Sequence, residues 1–236
     1  MLKRTDQSAR IVNGDLITID KAKFVVNLRR HGRFFCGGSL VTPKIVITAA
    51  HCVFDLKAAE LSVVAGATYL SDENFKSPVS EICLPEEYNS RTYETDIALL
   101  VLSKPMEGAN ISTIELCKTK WKTGDEMAVY GWGRIAEDIK GISNQLRTVN
   151  VPVIEQSECN EMYNGEITKS MFCAGDLKGK DACKADSGGP AVFNGQLCGV
   201  ISWGIGCART NFPGVYTNIM IAKQFIDKIM NKYKSH

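Results

Sequence analysis

The chain has 236 residues, of which 44% are hydrophobic and 23% charged. At ~150 residues per domain that is one large domain or two small ones, with enough apolar side chains to bury a core. No apolar run approaches the ~18 residues of a membrane-spanning helix; the longest, Ile45 to Phe54, carries Thr48 and His51. The formal charge is +2, and Lys3, Arg4 and Arg10 against Asp6 account for all of it. From Ile11 onward the charges cancel, so neither nucleic acid nor an anionic membrane is expected as the main partner.

In chain order, the elements are short and extended. Val25 to Leu28 and Phe34 to Val41 read as strands, with His31-Gly32 as a hairpin turn between them. Lys44 to Ala49, Leu61 to Ala65 and Ile97 to Leu102 follow, rich in Val, Ile and Thr. Pro105, Gly108 and Asn110 then mark the softest boundary, near Lys104 to Ser112. Asn110-Ile111-Ser112 there is an N-glycosylation sequon. Lys118, Lys120 and Lys122 alternate as on a solvated strand face; a heparin-like patch is the alternative. Met127 to Gly131, Leu146 to Ile154, Leu197 to Trp203 and Gly214 to Asn218 complete the strands. Many short strands between turn signals predict an antiparallel sandwich or barrels. Ile221 to Tyr233 differs: Ile221, Phe225, Ile226, Ile229 and Met230 recur near helical spacing, which predicts a C-terminal amphipathic helix.

There are nine cysteines: Cys36, Cys52, Cys83, Cys117, Cys159, Cys173, Cys183, Cys198 and Cys207. None are spaced CxxC and no HExxH occurs, so zinc and thioredoxin-like readings are weak. Disulfides in an oxidising compartment, with one thiol left over, are expected. The start MLKRTDQSAR holds no apolar signal core, so either the signal peptide was removed or replaced or the protein is cytosolic; the first is expected if the rest reads as secreted.

Histidine is scarce: His31, His51 and His236. His51 ends an apolar strand in Thr48-Ala49-Ala50-His51-Cys52, and alone it reads as a core histidine. Ser187, in Asp186-Ser187-Gly188-Gly189-Pro190, changes that reading. The two glycines are expected to let backbone approach whatever the hydroxyl attacks. A serine nucleophile needs a base, and the base needs an acceptor to fix its tautomer. Asp96 opens an apolar strand, where a buried carboxylate requires a partner. An α/β-hydrolase elbow would run Ser, then acid, then His, but only His236 follows Ser187. The order His51, Asp96, Ser187 is the chymotrypsin-like one.

From Ile11 to about Tyr233 the sequence resembles the trypsin/chymotrypsin family of serine endopeptidases. The matching motifs are Ile11-Val12-Asn13-Gly14, Thr48-Ala49-Ala50-His51-Cys52, Asp96-Ile97-Ala98-Leu99-Leu100, Gly131-Trp132-Gly133, Asp186-Ser187-Gly188-Gly189-Pro190, Ser202-Trp203-Gly204 and Pro213-Gly214-Val215-Tyr216. The resemblance implies an all-β fold of two packed antiparallel six-stranded β-barrels with a C-terminal helix. Residues 1–10 would be a propeptide remnant. The barrels would span about 11–110 and 111–220, and the helix about 221–233.

It also implies roles. Ser187 would be the nucleophile, His51 the general base and Asp96 its orienting carboxylate, with the N–H groups of Ala185 and Ser187 as oxyanion hole. Asp181 would form the base of the specificity pocket, beside Ala182, with Ser202, Trp203, Gly204 and Gly214 along its walls and Lys184 near its mouth. Tyr93 would line the adjacent subsite. Ala182 supplies no hydroxyl to bridge a lysine, so Arg is expected over Lys at the cleaved bond. Cleavage at Arg10-Ile11 would free an amino group to pair with Asp186, making the uncut chain a zymogen. Disulfides Cys36–Cys52, Cys159–Cys173 and Cys183–Cys207 follow from the family. Cys117–Cys198 is proposed as a fourth pair, which leaves Cys83. A family bridge is missing where Met127 and Phe193 stand.

The sequence departs from the family at Ala185, where glycine is usual. An active enzyme with restricted subsites and weaker binding of rigid protein inhibitors is one outcome; tolerance without consequence and a damaged hole are the others. A non-catalytic homologue acting as a binding or regulatory module is the alternative function. Ala67-Thr68 after Ala65-Gly66 lacks the glutamate that opens the trypsin calcium loop, so no calcium or other cofactor is expected. A secreted monomer acting on protein or peptide substrates is the expected form.

Overall fold

The computed structural model describes residues 14–133, 141–176, 186–205 and 212–233. The first half is a closed barrel. Its strands are β2 (Val25–Arg30), β3 (Arg33–Thr42), β4 (Ile45–Thr48), β5 (Leu61–Ala65), β6 (Phe75–Cys83) and β7 (Ala98–Leu102), joined in the order β2-β3-β4-β7-β6-β5 and closed by β2 on β5. All pairs are antiparallel. Val26, Leu28, Leu40, Ile47, Val63 and Leu100 fill the interior at 1% exposure or less. His31 and Gly32 turn the first hairpin with φ of 48° and 80°. Two consecutive positive φ values match the right-handed twist of the strands they join.

The second half contains β9 (Glu126–Gly131), β10 (Arg147–Pro152), β11 (Met171–Ala174), β12 (Pro190–Phe193), β13 (Gln196–Trp203) and β14 (Gly214–Asn218). They run β10-β9-β12-β13-β14-β11, and the bridge Val153↔Ala174 brings β11 back to the end of β10. Two short strands are appended: β1 (Asp15–Leu16) on β10, and β8 (Glu115–Leu116), parallel, on β13. The molecule is thus two six-stranded barrels, with Phe24 edge-on to Tyr130 where they meet.

Among the described residues two α-helices flank the barrels: α1 (Gln156–Met162) and α2 (Lys223–Lys232). The C-terminal helix begins two residues later than its pattern predicts and buries Ile226 completely. The sequence reading missed α1, which buries only Cys159 and is too short to show a helical period. Lys118, Lys120 and Lys122 are exposed on the loop between β8 and β9, not on a strand face as expected.

Among the described residues three disulfides join Cys36 to Cys52, Cys117 to Cys198 and Cys159 to Cys173. The second is set up by pairing: Cys117 N–H donates to Leu197 O at 2.9 Å, beside Cys198. Cys83 is free and buried. Cys183 and Cys207 lie outside the described residues. Met127, fully buried, and Phe193 sit one register step beyond Val192↔Ala128 on paired strands.

Candidate active site

Strand pairing delivers two of the predicted residues to one edge. β4 and β7 are antiparallel neighbours with Thr48 opposite Ala98. The chain leaving β4 turns through Ala50–Cys52, and the chain entering β7 carries Asp96. His51 and Asp96 therefore meet at the same end of the barrel. Asp96 Oδ1 accepts the His51 backbone N–H at 2.8 Å, and Oδ2 lies 2.7 Å from His51 Nδ1. Asp96 is 0% exposed and the His51 side chain 22%. A buried carboxylate with these neighbours acts as acceptor, so Nδ1 carries the proton and Nε2, 3.7 Å from Cys52 Sγ, is left unprotonated.

The second barrel supplies the rest. Ser202 Oγ donates to Asp96 Oδ2, and Thr217 Oγ1 donates to the Asp96 backbone carbonyl at 2.8 Å. Asp96 is therefore clamped from both barrels. Ser187 stands just before β12, and its carbonyl accepts from Gly37 N on β3 at 2.8 Å. Thr48 Oγ1 donates to Gly37 O at 2.8 Å. These bonds bring the serine segment against the strand that leads to His51.

The sequence profile of the family described as Trypsin matches residues 11–226. The chain belongs to the trypsin family. Seminase of Drosophila melanogaster is 42% identical over 223 residues, covering 93% of this chain and 81% of that protein. Trypsin alpha of Drosophila melanogaster is 39% identical over 226 residues, covering 94% and 88%. A solved structure of neuropsin, a serine protease expressed in the limbic system of mouse brain, superposes with a TM-score of 0.86 at 32% identity. That match covers 92% of this chain and 99% of the other. This trypsin-family chain is a serine protease, a hydrolase of the trypsin-like class.

The glycines around Ser187 also have a packing task within the protein. Gly188 has φ of 81°, and a Cβ there would lie 2.2 Å from Thr48 Oγ1 and 2.6 Å from Gly37 O. A Cβ on Gly189 would lie 2.8 Å from the carbonyls of Asp186 and Tyr130. They admit the protein's own backbone, so that the serine loop seats between the barrels. Gly131 and Gly133 do the same for Asp186: an added Cβ would come within 2.0 Å and 2.4 Å of its carboxylate group. Asp186 is buried at 1% exposure and accepts the Gly133 N–H at 2.7 Å.

Tyr93 has φ of 57°, and its ring lies edge-on to His51 at 5.6 Å and 6.3 Å from Trp203. Gly204 and Gly214 face each other, with 3.8 Å from an added Cβ on the first to Cα of the second. Arg10, Ile11, Asp181, Ala182, Lys184 and Ala185 lie outside the described residues. Thr217 was missed by the sequence reading, because a threonine within a strand carries no signal of its own. Ser202, expected along the pocket wall, donates its hydroxyl to Asp96. Among the described residues, the cluster of Cys36, His51 and Cys52 has metal-ligand proximity, but its two sulfurs are bonded to each other.

Proposed function

We propose that this protease is a secreted endopeptidase that hydrolyses peptide bonds after Arg, and less readily after Lys, and is made as a zymogen opened at Arg10-Ile11. The observation that carries the catalytic part is the contact of His51 Nδ1 with the buried Asp96 at 2.7 Å, beside the loop of Ser187. Ser187 Oγ attacks the scissile carbonyl and its proton passes to His51 Nε2. Asp96 stays ionised and stabilises the imidazolium. The oxyanion is held by the N–H groups of Ala185 and Ser187, each such donor contributing ~2.7–4 kcal/mol at the transition state. His51 then protonates the leaving amine, and water repeats the sequence on the acyl-enzyme.

Specificity rests on Asp181, whose carboxylate meets a guanidinium as a two-pronged fork. Activation rests on Asp186. It is buried against Gly131 and Gly133, where the new Ile11 amino group would be its cationic partner. Ala185 narrows the cleft beyond the cut and weakens rigid protein inhibitors. Three disulfides support passage through an oxidising compartment. The exposed turn at Asn110 leaves its sequon accessible there.

The test is covalent labelling. The full chain is cut at Arg10 and treated with a biotinylated diphenyl phosphonate bearing an arginine-like side chain. The adduct is expected on Ser187 of the cut chain alone. A folded, cut chain that takes no label overturns the catalytic reading in favour of a binding module. An uncut chain labelled equally fast overturns the zymogen reading, and equal turnover of matched Arg and Lys substrates overturns the Arg preference.

A further inference from the structure

The second barrel carries a groove of about 470 Å³ that this reading leaves unused. Trp121, Phe172, Met220 and Ile221 line it together with Lys120 and Lys169, and no Asp or Glu does. Ile221 is 56% exposed, a large apolar side chain left in water. Among the described residues neither lysine makes an ion pair. The apolar wall is fixed. The Trp121 ring rests on Phe172 at 5.2 Å, and Phe172 stacks on Tyr216 at 5.2 Å. A ligand therefore meets a surface that is already ordered, which lowers the entropic cost of binding.

We propose that this groove is an exosite for an acidic peptide segment that carries apolar side chains. The lysines supply charge complementarity without a carboxylate to compete for them. The rings and Ile221 supply what a sulfated polysaccharide could not use, because a sulfated sugar has little apolar surface to bury. The location ties the exosite to the cleft. Lys169 precedes Ser170, whose Oγ accepts the Thr95 N–H at 3.2 Å, and Thr95 adjoins Asp96. A segment held here belongs to the same polypeptide whose bond lies in the cleft, and tethering raises its effective concentration there. This second part rests on the protease reading; the binding itself does not.

Binding is tested on the full chain carrying Ser187→Ala, by tryptophan emission. The probes are the peptide Ac-Glu-Phe-Asp-Asp-Leu-Glu-NH2, its counterpart with lysine for every acid, and a heparin-derived tetrasaccharide. The acidic peptide is expected to shift an emission component that Trp121→Phe removes. Its Kd is expected to rise at least ~10-fold in Lys120→Glu/Lys169→Glu, since charge reversal turns attraction into repulsion. No shift, unchanged affinity in the double variant, or binding of the tetrasaccharide alone overturns the proposal.

The activity arm uses the cut enzyme on two substrates, a short Arg amide and the same sequence extended by the acidic peptide. The ratio of kcat/KM, extended over short, is expected to fall ~10-fold in the double variant. An unchanged ratio overturns the exosite role. Absence of turnover on both substrates sinks the protease reading and leaves the binding result standing.

Discussion

Asp96 holds His51 twice, by its backbone N–H through Oδ1 at 2.8 Å and by Nδ1 through Oδ2 at 2.7 Å. The first contact sets where the residue begins and the second sets the plane and tautomer of the ring. Both contacts need an acceptor, and only a carboxylate offers one on each side.

Asp96→Asn keeps the shape and breaks that symmetry. One of the two positions becomes an NH2 group facing an N–H donor. The ring relieves the conflict by moving its proton to Nε2, which then cannot accept from Ser187. Activity at neutral pH is expected to fall about 10⁴-fold in kcat, the size known for this substitution in this enzyme family. Circular dichroism should be unchanged. A loss under tenfold would contradict the proposed roles.

Arg29 is the cationic centre of the loop between β5 and β6. It is 4% exposed, and its guanidinium donates to Asn27 Oδ1 at 2.9 Å, to Leu70 O at 2.5 Å and to the Glu73 carboxylate. A side chain from β2 thus gathers the oxygens of a loop more than 40 residues away. Arg29→Met keeps the apolar stem and removes every donor. Glu73 is 46% exposed and returns to water, so the cost comes mainly from leaving Asn27 Oδ1 and Leu70 O without their donor, ~1–3 kcal/mol. Urea unfolding measures it, and a change below ~1 kcal/mol would refute the role.

Most of the strand set was readable because alternating Val, Ile and Thr with Gly or Asn boundaries is a local signal. Leu61–Ala65 and Gly214–Asn218 coincide with their patterns. β6 was not readable: Pro78 sits in its middle, a residue that argues against a strand. The strand survives because Pro78 pairs with Ser62 and a register shift follows between Val79 and Glu81. Such a register shift is a tertiary property that no window of sequence contains. At the site, His51, Asp96 and Ser187 were legible through motifs. The clamp of Thr217 on Asp96 was not, since it spans 121 residues and joins two barrels.

Cys83 ends β6, buried, with Sγ donating to Glu81 Oε1 at 3.4 Å. Burial, and then the neighbouring carboxylate, push its thiol up to about 12. At pH 8 that leaves a thiolate fraction of about 10⁻⁴, and the thiolate is the reactive form. Iodoacetamide should modify Cys83 only after denaturation, and Cys83→Ala should retain activity. Rapid alkylation of the native chain at pH 8 would contradict this.

Glu81 also fastens the C-terminal helix to the first barrel. Tyr233 OH donates to its Oε2, and Lys232 Nζ lies 3.0 Å from Oε1. The Tyr233 hydroxyl, then the Lys232 ammonium, hold the carboxyl below its ordinary value. A depressed folded value stabilises the protein above the unfolded pKa, and that stabilisation fades as pH falls through the folded one. The Glu81 side chain is 43% exposed, so solvent limits its contribution to no more than ~1 kcal/mol. Glu81→Gln is therefore expected to lower Tm by no more than about 2–4 °C at pH 7. The two melting curves should converge only once pH drops below the depressed value of the folded Glu81 carboxyl, where the wild-type group is itself neutral. A gap that widened on acidification would mean that Glu81 does not fasten the helix through its charge.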